Sequence, residues 1–207
     1  MSARRLILAG CATLFSLGAM ATVGATPAAA QLFSESYQFL EAVRERDGTK
    51  AMELLNGPSG TLINTRDRTT GETALHIVVA RRDLVWLNFL TQRGADTNLV
   101  DRNGVTPLLT AARIGFVDGA QVLIARGARV NQTNGQGETA LHLAVQRRDI
   151  AMVRALIAAG ADADVQDNVA GKSPRDYATE DTRATAVLAA LGAGRPSGAT
   201  QQVAGPN

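Results

Sequence analysis

The sequence predicts an all-α fold: a solenoid of about five stacked helix–turn–helix units with β-turn or hairpin tips, capped at both ends. Three observations predict it. Gly71-Glu72-Thr73-Ala74-Leu75-His76 recurs as Gly104-Val105-Thr106-Pro107-Leu108-Leu109 and as Gly137-Glu138-Thr139-Ala140-Leu141-His142. It recurs more loosely as Gly171-Lys172-Ser173-Pro174-Arg175-Asp176, so the glycines are spaced 33, 33 and 34. A second series keeps the same period: Gly94-Ala95-Asp96, Gly127-Ala128-Arg129 and Gly160-Ala161-Asp162, with Asn64, Asn98, Asn131 and Asp164 at the matching place. Third, apolar residues fall at i, i+3 and i+6 in Leu84/Leu87/Leu90, Val117/Ala120/Leu123 and Ile150/Val153/Leu156, a helical stripe meant for a neighbour. A lone helix pair cannot bury such a stripe, so the units must stack to make a core.

The elements follow in chain order. Residues 1–30 read as an export signal peptide. Arg4 and Arg5 are its charged start, Leu6 to Val23 its diluted apolar stretch, and Ala28-Ala29-Ala30 a small-residue cleavage site before Gln31. Two rival readings share the stretch. Leu8-Ala9-Gly10-Cys11 is lipobox-like and would anchor a lipid at Cys11, although cleavage there leaves a short apolar core. The paired arginines also suit twin-arginine export, so the route is left open between Sec and twin-arginine. Every export reading gives a periplasmic or otherwise exported bacterial envelope protein.

The same segment changes the charge balance. It carries two of the 21 basic side chains, Arg4 and Arg5, and the other 19 balance 19 acidic ones. It also holds the single cysteine, Cys11. Without it the chain is neutral and thiol-free. That excludes a disulfide scaffold, a thiol catalyst and a cysteine-ligated metal site. It removes the electrostatic basis for non-specific nucleic-acid binding. The mature chain is expected to have no membrane span.

Residues 31–192 form the repeat domain, with units at about 33–66, 67–100, 101–133, 134–166 and 167–192. The first is degenerate: Phe39, Leu40, Val43, Met52, Leu54 and Leu55 give two apolar helix faces, but the Thr-Pro-Leu-His-like turn is missing and Gly57-Pro58-Ser59-Gly60 lengthens the exit. In later units Thr73, Thr106, Thr139 and Ser173 are N-cap hydroxyls. Pro107 and Pro174 take the first helical position, where a missing N–H costs nothing. A first helix follows, over 74–81 in the first clear unit. Gly94, Gly127 and Gly160 end the second helices, where a left-handed residue is wanted. The fifth unit puts Arg175 and Asp176 where leucine and histidine stand elsewhere, and its second helix, about 182–191, is Ala-rich. Such atypical end units read as caps. Residues 193–207, with Gly, Pro, Ser and Gln and no apolar period, read as a disordered tail.

The turns and Gly-Ala-Asp-x-Asn-like ends quoted above resemble the ankyrin repeat family over nearly all of residues 31–192. The resemblance implies a protein-binding role and no chemistry. It implies that His76 and His142 make hydrogen bonds fixing the turns of stacked units, and that partners contact turn tips and exposed first-helix faces. Here the tip residues are Arg68, Thr69, Glu72, Arg102, Asn103, Val105, Gln136 and Glu138. The helix-face residues are Arg81, Arg113, Ile114, Gln146 and Arg147. Arg81, Arg113 and Arg147 recur almost in phase, spaced 32 and 34, and are expected to align as a basic stripe facing an acidic protein surface. Val105 and Ile114 are expected to add a small apolar patch at its centre.

No catalytic, metal or cofactor residue is assigned. Equivalent histidines on different units lie side by side and cannot converge. Gly171-Lys172-Ser173 ends like a phosphate loop, but Gln166 stands where its first glycine belongs. Asp96, Asp101, Asp162 and Asp167 sit at turns, where aspartate bonds its own backbone. Trp86 reads as core or rim packing. The expected function is therefore a monomeric, non-catalytic protein-binding module of the bacterial envelope. The alternative is an inhibitor, immunity or protective protein for a specific exported enzyme or toxin.

Overall fold

The computed structural model describes residues 27–57 and 62–192, with side chains from 35 onward. Residues 1–26 of the expected signal peptide, part of the first unit's exit turn and the expected tail 193–207 lie outside the described residues. Ten helices are described: α1 Pro27–Glu45, α2 Gly48–Leu55, α3 Ala74–Ala80, α4 Leu84–Gln92, α5 Pro107–Ile114, α6 Val117–Ala125, α7 Ala140–Gln146, α8 Ile150–Ala158, α9 Pro174–Glu180 and α10 Thr185–Gly192. A 3-10 turn, Leu62–Asn64, follows α2. Among the described residues there is no strand, only an antiparallel bridge between Arg66 and Thr73 at the base of one tip. The fold is an all-α solenoid.

The helices form two rows. One runs α1, α3, α5, α7, α9; the other runs α4, α6, α8, α10. Each unit's second helix packs on its own first helix. The core runs through both rows: Leu75, Leu87, Leu90, Leu108, Leu123, Leu141, Met152, Leu156 and Leu191 are buried. The second-helix stripe closes fully at its second and third positions and in part at its first, where Val117 and Ile150 are half-buried against the core. Leu84, the first residue of α4, is exposed. Two boundaries also differ from expectation. α1 begins at Pro27, since a proline followed by Ala-Ala-Ala-Gln-Leu-Phe is a strong helix start. α10 begins at Thr185, because Asp181 first closes a turn by accepting from the Arg183 and Ala184 N–H groups.

Side-chain straps bind each unit to the next at its helix end. Asn64 Oδ1 accepts from Asp96 N at 2.8 Å, Asn98 Oδ1 from Arg129 N at 2.7 Å, and Asn131 Oδ1 from Asp162 N at 2.9 Å. Asn98 and Asn131 also donate Nδ2–H to the Gly127 and Gly160 carbonyls, both at 3.1 Å. An amide supplies both an acceptor and a donor, which is why asparagine suits a joint that presents one of each. At the last joint Asp164 instead accepts from Arg175 Nε at 2.7 Å.

Candidate functional site

The tips are four Asx-organised turns. Asp67, Asp101, Asn134 and Asp167 each receive backbone N–H groups on Oδ1, for example Asn103 N and Val105 N at 2.8 Å on Asp101. An acceptor on a short side chain holds the turn that the backbone alone would leave open. Consecutive tips then pair. Arg102 N donates to Thr70 O at 3.0 Å, Gly135 N to Asn103 O at 3.0 Å, and Asn168 N to Gln136 O at 2.8 Å. The pairing is close enough to exclude a side chain. Gly137 has φ +80°, and a Cβ there would lie 2.8 Å from Asn168 N.

Behind the tips, His76 and His142 join units. Thr73 N donates to His76 Nδ1 at 3.1 Å, so that nitrogen is the acceptor and Nε2 carries the proton. Nε2–H then donates to the Val105 carbonyl of the next tip at 2.9 Å. His142 repeats this with Thr139 N at 3.0 Å and Lys172 O at 3.2 Å. Burial pushes the His76 imidazole below its usual pKa, against a smaller opposing pull from the Val105 carbonyl. In the third unit Thr106 caps α5 through Leu109 N at 3.2 Å, and Leu109 is buried where the histidines stand elsewhere. In the fifth, Asp176 accepts from Ser173 N at 2.9 Å and Ser173 Oγ at 2.6 Å. These hydrogen bonds lower its pKa.

The expected arginine stripe does not form. Arg81 and Arg147 hold equivalent places, each just before a left-handed residue, but Arg113 is one residue earlier and Ile114 occupies their place in the third unit. One residue along a helix turns a side chain by about 100°. Arg81 is also withdrawn from solvent, its side chain 18% exposed. It donates to the Val43 carbonyl at the end of α1, bonds Asp83 at 3.2 Å and lies over Trp86. Its burial pushes its pKa down. Arg147 is exposed and rests against Gly115.

The next position is more telling. Arg46, Arg82 and Arg148 have φ of 61°, 58° and 55°, and Gly115 has 69° in the third unit. This is the left-handed residue that ends the first helix of units one to four, a place glycine fills at least cost; α9 of the fifth unit ends instead at an extended Asp181. Each arginine there reaches forward. Arg46 meets Asp83 at 3.3 Å, Arg82 donates to Gly115 O at 2.7 Å and lies over Phe116, and Arg148 pairs with Asp181.

The remaining predicted residues divide into two places. Arg68 and Thr69 line a groove of about 260 Å³ against α1, with Tyr37 and Leu40 as its apolar side. Arg102 donates to the Arg68 carbonyl, and Glu72 accepts from Thr70 Oγ1 at 3.2 Å. Val105 is not an exposed tip. It is 7% exposed, because the closing bond from Asp101 N to its carbonyl turns its side chain inward. Ile114 is half-buried against the core.

Asn103, Arg113, Gln136, Glu138 and the edge of Val105 come together in a second groove, about 430 Å³, across the third to fifth units. Gln146 stands at its rim, donating to Glu138 Oε1 at 3.2 Å. The sequence reading missed its other walls: Leu109, Asn134, Leu143, Asp167, Val169 and Tyr177. Tyr177 donates to Asp167 Oδ2 at 2.6 Å. That bond holds Asp167 down near a pKa of about 2 and pushes Tyr177 up to about 12. Leu143 and Tyr177 each directly follow the place of His142 and Asp176, a repeat phase that would have found them.

Comparison with known proteins agrees with this architecture. The family model for ankyrin repeats (3 copies) matches residues 39–134, 81–167 and 123–194. The chain is 31% identical over 150 residues to the B-cell lymphoma 3 protein homolog of Mus musculus, covering 72% of this chain and 33% of that protein. It is 30% identical over 112 residues to alpha-latrotoxin-Lg1a of Latrodectus geometricus, covering 53% and 8%. It is likewise 30% identical to the nuclear factor NF-kappa-B p105 subunit of Gallus gallus, covering 53% and 11%. The chain thus spans a third or less of the length of these relatives. With three overlapping matches across its described units, and with the paired tips and histidine straps those units share, the chain belongs to the ankyrin repeat family.

Proposed function

We propose that this protein is an exported, monomeric and non-catalytic binding module that holds a protein partner in the groove across its third to fifth units. Ankyrin repeats support protein–protein interaction as the general role. The observation that carries the narrower reading is the groove itself: an apolar floor and amide-bearing tips held by the pairing of neighbouring turns. A surface fixed in this way loses little conformational entropy on binding. Export to a bacterial envelope rests on the composition of residues 1–30.

The test is capture from the native envelope with the tagged full-length chain, compared with the triple variant Asn103→Ala, Arg113→Glu and Gln136→Ala. All three residues are exposed, so the fold is expected to survive. Arg154→Glu on the exposed side of α8 is the control. A partner lost by the triple variant and kept by the control supports the reading; unchanged capture by both refutes it. Fusing residues 1–30 to a reporter active only after export tests the address, and a silent reporter overturns it.

A further inference from the structure

We infer that the groove receives an extended peptide segment in which an acidic side chain seats on Arg113 and a nearby apolar side chain lies on Leu143, Val169 and Tyr177. This rests on the binding role proposed above and names the chemistry of what is bound. The inference starts from hydrogen-bonding capacity. The groove holds three charged groups, and two are already satisfied. Glu138 accepts from Asn134 Nδ2 at 2.9 Å on one oxygen and from Gln146 Nε2 at 3.2 Å on the other. Asp167 takes three backbone N–H groups on Oδ1 and the Tyr177 hydroxyl on Oδ2. Arg113 differs. It is exposed, and its guanidinium makes no hydrogen bond or ion pair among the described residues. Of the arginines near it, Arg81 is engaged with Asp83, Arg82 with Gly115 O, Arg102 with Arg68 O and Arg148 with Asp181, while the exposed Arg147 lies outside the groove lining.

A guanidinium is a planar fork that pairs with a carboxylate through two parallel bonds. The neighbouring surface is apolar. Val169 is 77% exposed at the last tip, and with Leu143 and the Tyr177 ring it lines the same groove. The side-chain amides of Asn103 and Gln136 add donors and acceptors along the tips, which suits the unpaired backbone of an extended chain better than a helix whose backbone is already bonded. Two or three residues fill about 430 Å³.

The test pans a random heptapeptide phage library against the full-length chain. Enriched peptides should carry Asp or Glu within a few residues of Leu, Ile, Val or Phe. The best is then synthesised with blocked ends, alongside a partner peptide in which the acid is its amide. Loss of the acid should weaken binding to the wild-type chain roughly 10-fold or more, the worth of a charged hydrogen bond. It should change nothing on Arg113→Ala, because the two changes remove one contact. Arg113→Glu should select peptides with Lys or Arg instead. Enrichment without acids, an equal loss on wild type and Arg113→Ala, or no enrichment at all would each overturn the inference. The broader binding role would still stand if the triple variant loses its native partner, since a folded surface could occupy the groove without this chemistry.

Discussion

Asp176 stands in the last unit where His142 stands in the fourth, and the exchange removes one bond and keeps the other. Both accept from the N-cap N–H of their own helix, His142 through Nδ1 at 3.0 Å and Asp176 through Oδ2 at 2.9 Å. Only the histidine has a second, donating nitrogen, which reaches Lys172 O in the following unit. Asp176, a carboxylate, has no such donor.

At the His76 joint the same pairing makes acid a weakness. Unfolded His76 gains a proton near its ordinary pKa of 6.5, whereas in the fold burial holds its pKa lower. The unfolded state therefore binds more protons below about pH 6.5, and stability falls as pH falls through that range. Thermal melts at pH 7.5 and 5.5 should show the loss, and His76→Gln should flatten the difference between them. An identical slope in the variant would show that His76 is not its source.

The hydroxyl of Tyr177 on Asp167 gives a second, spectroscopic handle. Tyr177 should ionise near pH 12 in a titration at 295 nm, read in a Tyr37→Phe background that removes the other tyrosine. Asp167→Asn should return it toward 10. For Asp167 the sign is opposite to a raised group: its contribution is present above about pH 4 and lost as pH falls toward about 2.

Core leucines should carry stability that groove residues do not. Leu108→Ala or Leu141→Ala empties a buried site and should cost about 2–5 kcal/mol in urea unfolding. Arg113→Ala should fall within about 0.5 kcal/mol of wild type. A small loss at either leucine would contradict the stacking of α5 and α7.

Tip pairing predicts a difference between two glycines of similar backbone. Gly171→Ala meets nothing within 4 Å and bears only the left-handed strain at φ +65°, about 1–2 kcal/mol. Gly137→Ala bears the same strain and also meets Asn168 at 2.7–2.9 Å. It should therefore be the more destabilising in the same urea series. Equal losses would mean that the tips do not approach as described.

The period of 33 made the units legible because helix caps, end glycines and apolar stripes obey local rules that survive in any stacked neighbour. The groove was half legible for the same reason: Asn103, Gln136 and Arg113 follow from register. What register could not settle was direction. Val105 reads as a tip residue until the turn's own closing bond turns it inward. Arg81 and Arg113 look equivalent until one residue of offset sends one into the α1 joint and the other into the groove. Leu84 fits the stripe's period but stands exposed at its first position. Tyr177 and Val169 sit in the atypical last unit, whose departures from the repeat read as those of a cap.

The left-handed arginines give the array a grammar. Arg46 requires a carboxylate from the unit that follows, Arg82 a glycine carbonyl and an aromatic ring, and Arg148 a carboxylate again. The units are therefore not interchangeable bricks. Swapping the third and fourth would take the Phe116 ring from Arg82 and put Asp149 in its place, and it would set Gly115, which has no side chain to pair, against Asp181. Shuffled or duplicated versions of this chain should assemble less well than the natural order, even though every unit keeps its own helices.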